Sequence, residues 1–136
     1  ISDGALTTII VQLAIASGSE VLEEKNIHLP AWRLSKLMDF VNLNIASDID
    51  VSAMAEAVGL SNRHFSRAFV EQMGKTPHRW LMEQRYEKAK FLLRDNEVDL
   101  SSVARGCGFS DHSHYCKVFK EMSGETPRRW HLNNIN

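Results

Sequence analysis

The heptapeptide GKTPHRW at positions 74–80 returns as GETPRRW at 124–130, with five of seven letters in the same places at an interval of 50 residues. The echo extends upstream. Ser52, Ala55, Gly59 and Ser61 match Ser101, Ala104, Gly108 and Ser110 at a shift of 49, whereas His64, Phe69 and Glu71 match His114, Phe119 and Glu121 at a shift of 50. The second copy therefore carries one inserted residue, which this alignment puts near Asp111–His112. Self-similarity at such a period means one supersecondary unit used twice. Any fold for this chain has to hold two like units and whatever joins them.

The unit is helical. Val51, Met54, Ala55 and Val58 predict a short helix, ended by Gly59 at a position suited to a left-handed residue. Ser61 is placed to cap a next helix whose apolar side is Phe65, Ala68 and Phe69, and Gly74 stops it. Thr76 and Pro77 read as the cap and first residue of a long helix to about Arg94, through Trp80, Leu81, Ala89, Leu92 and Leu93. Leu100, Val103, Ala104 and Cys107 then replay the first helix, Gly108 ends it, Tyr115, Val118 and Phe119 replay the second, and Thr126-Pro127 opens a last short helix with Trp130. Upstream of the repeats, Leu34, Leu37, Met38, Val41 and Ile45 predict a helix from Ala31. Residues 17–30 read as a linker, and Ala5–Ala16 as an apolar helix that something must cover. Strand signals are absent, so the expected fold is all-α, with about seven helices besides the N-terminal one.

Composition narrows the class. With 136 residues and 43% hydrophobic content the chain is one domain or two very small ones. Ala5–Ala16 is well short of the roughly 20 residues that span a bilayer, and no basic region precedes it to mark a secretory signal. The start at Ile1 suggests a fragment of something longer, and two cysteines, Cys107 and Cys116, fit a reducing cytoplasm better than a disulfide framework. The net charge of −1 hides an uneven distribution. Residues 61–94 carry eight basic groups, Arg63, Arg67, Lys75, Arg79, Arg85, Lys88, Lys90 and Arg94, against three acids, whereas residues 1–30 sum to −3 and residues 110–131 to +1.

A short helix, a glycine turn and a second helix with one polar face make a helix-turn-helix, whose second helix enters the DNA major groove. With Phe65, Ala68 and Phe69 inward, Arg63, Ser66 and Arg67 are left outward; with Tyr115, Val118 and Phe119 inward, His112, Ser113, Cys116 and Lys117 are left outward. Guanidinium forks in such a place suit bidentate contact with guanine. About 18 residues from Pro77 at 1.5 Å rise span roughly 27 Å, against about 34 Å between successive major grooves on one DNA face.

The stretches GLSNRHFSRAF, GKTPHRW, RYEKAKFLL and above all ARGCGFSDHSHYCKVFKEMSGETPRRW resemble the DNA-binding region of the AraC/XylS family of bacterial transcription regulators, over Leu34 to Trp130. The resemblance implies two homeodomain-like helix-turn-helix subdomains, at about 51–73 and 99–122, joined by a linker helix at about 77–94, within a DNA-binding domain of 31–136; residues 1–30 would be a remnant of an N-terminal domain or a linker helix. By position it assigns base reading to Arg63, Ser66, Arg67, His112, Ser113, Cys116 and Lys117. Candidate phosphate contacts are Asn62, His64, Thr76, Arg79, His114, Lys120, Thr126 and Arg129. The second recognition helix departs from the family's pattern in presenting no arginine outward, so the first copy is expected to supply more of the affinity. The implied partners are double-stranded promoter DNA and RNA polymerase, with activation the expected outcome and the effector held by a domain that is not in this chain.

Other readings weigh less. Cys107, His112, His114 and Cys116 lie within ten residues and invite zinc, yet the repeat puts Cys107 on the apolar stripe where Val58 stands and Cys116 on the outward side where Ser66 stands. No metal, no cofactor and no membrane partner are expected. His64 and His114 recur in register as structural groups first; Trp80 and Trp130 read as core anchors; Thr76 and Thr126 are caps whose helix starts could also hold phosphate. No glycine-rich phosphate loop, nucleophile set or enclosed carboxylate pair supports an enzyme. The alternative in another class is a helical protein-interaction module whose DNA contact is incidental.

Overall fold

The computed structural model describes residues 28–135, so the expected apolar helix at Ala5–Ala16 lies outside the described residues. Seven helices follow in order: α1 Ala31–Asn44, α2 Val51–Ala57, α3 Asn62–Met73, α4 Pro77–Leu93, α5 Leu100–Gly106, α6 His112–Ser123 and α7 Pro127–Asn134. There is no strand among the described residues, and the all-α expectation holds. The helix starts follow from local chemistry. Ser61 Oγ accepts the His64 N–H at 3.1 Å, and Thr76 and Thr126 do the same for Arg79 and Arg129, each with proline at the next position where a missing N–H costs nothing.

The structure moves the inserted residue. The cap of α6 is Asp111, whose Oδ1 accepts the His114 N–H at 2.7 Å, so the structural counterpart of Ser61 is Asp111 rather than Ser110. Ser110 is the extra residue, and it lengthens the turn between Gly108 and the cap. A carboxylate and a hydroxyl cap equally well, and letter identity alone misaligned them. Downstream of the cap the copies agree closely: residues 61–70 and 111–120 have the same pattern of exposed, half-buried and buried positions throughout.

Helix α4 belongs to both copies. It packs on α3, on α5, on α6 and on α7, closing the first unit and opening the second. Its buried stripe is Leu81, Arg85, Ala89 and Leu93, spaced by four, and three of the four are apolar. One core runs through the chain from Leu29 to Trp130, with Phe65 and Phe69 at the centre of the first copy and Tyr115 and Phe119 at that of the second. Edge-on aromatic pairs tie each recognition helix to the helix after it: Phe69 to Trp80 at 5.6 Å and Phe119 to Trp130 at 5.9 Å between ring centroids.

Two expectations are corrected. Met38 is exposed on α1, where the buried line is Leu37, Val41 and Ile45. Leu29, read as linker, is a core residue, and its backbone is gripped by Gln72, whose Oε1 accepts the Leu29 N–H at 2.6 Å and whose Nε2 donates to its carbonyl at 3.0 Å. The second copy is secured differently. His131, at the position of Leu81 in the repeat, is buried with Nδ1 2.6 Å from the carbonyl of Leu93 at the end of α4, which gives that helix-end carbonyl a partner.

Candidate nucleic-acid interface

The recognition helices are α3 and α6, and their bearing is set by the turns before them. In the first copy Gly59 adopts φ of 74°, its N–H bonds to Glu56, and the Leu60 N–H bonds back to Ala55 at 3.0 Å. In the second, Gly108 adopts φ of 91° and the Phe109 N–H bonds back to Ala104 at 3.0 Å. A β-carbon disfavours this conformation, so glycine is what lets both turns close in the same way. Phe65, Ala68 and Phe69 are then driven into the core, and Arg63 and Arg67 stand exposed with Ser66 half-buried between them. On α6 the same register exposes His112, Ser113 and Lys117 and leaves Cys116 half-buried.

Charge on these faces is uncompensated. Arg63, Arg67, Lys117 and Lys120 have no acid within ion-pair distance among the described residues. The candidates beside the tryptophans are engaged instead: Glu83 pairs with Lys75 at 2.7 Å and Arg79 at 3.5 Å, and Arg129 lies 4.0 Å from Glu125. Pairs this open to solvent are worth little. Of the remaining phosphate candidates, Asn62 donates to Ser52 Oγ at 2.7 Å and so bridges α2 to α3, while His64 and His114 are half-buried, the latter with its ring 5.6 Å from Phe109. Thr76, Lys120 and Thr126 are exposed.

Residues that are far apart in sequence meet here. A surface depression between the start of α4 and the flank of α6 is lined by His78, Arg79, His114 and Lys117, with Glu121 at its edge. A second one, between α6 and the starts of α5 and α7, is lined by His112, Cys116, Thr126 and Arg128 with Ser101. His78 and Arg128, both exposed, join the site only through these grooves; both occupy the second position of a Thr-Pro helix start, the signal that would have found them.

Arg85 adds no charge to this surface. Counted with the basic middle of the chain, it is buried at 6% exposure and donates from Nη2 to the Ser47 carbonyl at 2.8 Å. Cys107 is wholly buried, and burial pushes its thiol up to about 11; Cys116, which is more open, is raised less. Among the described residues no three His, Cys, Asp or Glu side chains are grouped as metal ligands, nor is any helix long and apolar enough to cross a membrane. The thiolate is the reactive form, and at pH 8 a thiol at about 11 is roughly one part in a thousand ionised. Iodoacetamide at that pH is expected to modify Cys116 and spare Cys107, as read by peptide mass spectrometry; equal rates at the two would contradict the burial of Cys107.

A helix-turn-helix domain family matches residues 54–132, more than half of the chain, and takes in α3 through most of α7. The chain belongs to the AraC/XylS family of transcription regulators. Among curated members of that family, the transcriptional activator RhaS of Escherichia coli strain E24377A is 35% identical over 103 residues, 76% of this chain and 37% of the relative. The chain thus spans little more than a third of the length of such relatives. Two solved AraC-type domains share the fold. One, from Chromobacterium violaceum, superposes with a TM-score of 0.69 at 24% identity over 75% of this chain and 91% of the other. The other is the DNA-binding domain of AdpA, a global transcriptional factor, solved in complex with a target DNA, with a TM-score of 0.69 at 26% identity over 74% and 91%.

Proposed function

We propose that this chain binds double-stranded promoter DNA sequence-specifically, with α3 and α6 in successive major grooves of one face. The observation that carries the reading is the matched register of the two helices, which leaves Arg63 and Arg67 on one and Lys117 on the other exposed and, among the described residues, free of acidic partners. Helix α4, 17 residues long, is about 25 Å from end to end and covers most of the roughly 34 Å between neighbouring grooves. Arg63, Ser66 and Arg67 read bases from the first helix, and His112, Ser113, Cys116 and Lys117 from the second. Asn62, His64, Thr76, Arg79, His114, Lys120, Thr126 and Arg129 hold the backbone, aided by the free N–H groups at the starts of α4 and α7.

Transcriptional activation, which the name of the RhaS relative states for that protein, is part of this reading; RNA polymerase as the protein partner and an effector bound by a separate domain complete the proposal. The test is fluorescence anisotropy on a site selected from random DNA. Replacement of Arg67 by alanine is expected to weaken the selected site by about 1–3 kcal/mol while leaving random DNA nearly unchanged; an equal loss on both would make Arg67 a phosphate contact and remove it from base reading.

A further inference from the structure

Both turn glycines are met by a guanidinium from the opening helix of their unit. In the first unit Arg33 of α1 lies against Gly59, with Nη1 3.5 Å from where a β-carbon would stand, and it donates to the neighbouring Val58 carbonyl. That contact is internal to the unit. In the second, Arg85 of α4 lies against Gly108 much more tightly, its Nε 2.7 Å and its Cζ 2.9 Å from the corresponding point. Its hydrogen bond, however, crosses into the other unit, from Nη2 to the carbonyl of Ser47 in the loop after α1. The carbonyl of Ile45, at the end of α1, stands only 2.0 Å from the β-carbon position at Gly108. Three segments therefore converge on one side chain: the end of the first unit's opening helix, the middle of the shared helix, and the turn of the second unit.

A buried guanidinium with no carboxylate at ion-pair distance among the described residues is expensive to hold, even with Asp48 near enough to favour its charge, and Arg85 Nε has no hydrogen-bond partner. Leu81, Ala89 and Leu93 on the same stripe are the apolar solution, and a longer apolar side chain would fill the space at 85 without burying charge. What such a side chain would lose is the bond to Ser47. We propose that Arg85, seated between Gly108 and the Ser47 carbonyl, is the positioning residue that fixes the second helix-turn-helix relative to the first and thereby sets the spacing of the two DNA subsites one chain reads together. Its DNA consequence rests on the function proposed above; its mechanical content does not.

Two measurements on the whole chain separate these. For the free protein, backbone N–H residual dipolar couplings of α2–α3 and α5–α6 are expected to fit one alignment tensor in the parent and two different tensors in Arg85→Met. A single tensor in Arg85→Met overturns the proposal, whatever the DNA result. On DNA, affinity is compared between a two-subsite duplex and one with the second subsite scrambled. The advantage of the second subsite is expected to fall roughly tenfold or more in Arg85→Met as the effective concentration of the second unit drops, with one-subsite affinity unchanged. Equal weakening on both duplexes assigns Arg85 to general stability and also overturns it. If Arg85→Met melts below the working temperature, Arg85→Lys is used with the same readouts. Its single ammonium keeps the charge but not the fork that spans Gly108 and Ser47, and a common tensor there is equally fatal. Parent protein with no sequence preference would remove the DNA reading alone and leave the tensor comparison to decide the mechanical one.

Discussion

Replacement of Phe69 by alanine is expected to lower the midpoint of thermal unfolding by about 12–20 °C. Phe69 is fully buried, and its ring sits 5.6 Å from both Phe65 and Trp80, so it joins the recognition helix to the start of the shared helix. Truncating a buried phenylalanine costs about 3–5 kcal/mol through lost transfer energy and the cavity left behind. For a domain near 100 residues each kcal/mol moves the midpoint by about 4 °C or more. Circular dichroism melts of the variant and of Phe91→Ala, on the 71%-exposed ring of α4, make the comparison. The exposed control is expected to stay within about 0.5 kcal/mol of the parent. A shift below about 5 °C for Phe69→Ala would mean that the two helices are held together by something other than this aromatic joint.

That joint was legible in the sequence because the repeat repeats chemistry. Thr-Pro twice, glycine twice before a capped helix, and Phe and Trp at fixed offsets each have one local consequence, and six of the seven helices, α2 to α7, follow from them, α1 resting on its apolar spacing alone. What the repeat could not give is where its copies differ. Asp111 replaced Ser61 as a cap while Ser110 kept the letter, and His131 took the place of Leu81 to meet a helix-end carbonyl. The outward sets on α3 and α6 were found because inward and outward alternate with helical period, and the period is strong there. Arg85 was missed for the opposite reason: a charge count has no direction. Its spacing of four from Leu81 and Ala89 placed it on the buried stripe all along, but nothing in the letters says that a guanidinium will find Ser47, 38 residues upstream, to bond. Residues such as His78 and Arg128 enter the interface only through tertiary packing, which brings the helix starts beside α6.

Raising monovalent salt from 50 to 200 mM is expected to weaken DNA binding roughly a hundredfold, in spite of the chain's net charge of −1. Counterion release depends on the cations that meet phosphate and is blind to acids elsewhere. Arg79, Lys120, Arg128 and Arg129, the cations placed to meet phosphate, are all exposed on α6 and at the starts of α4 and α7. Four phosphates neutralised correspond to a slope of log affinity against log salt of about −3.6. Arg85 contributes nothing to it, because it is buried. Lys120→Ala is expected to make the slope shallower by about 1 on cognate and random duplexes alike, since a phosphate contact is indifferent to sequence. An interaction module with incidental DNA contact would give a slope nearer −2 or less and no response to Lys120, and that pair of results would transfer the role of these faces from nucleic acid to protein.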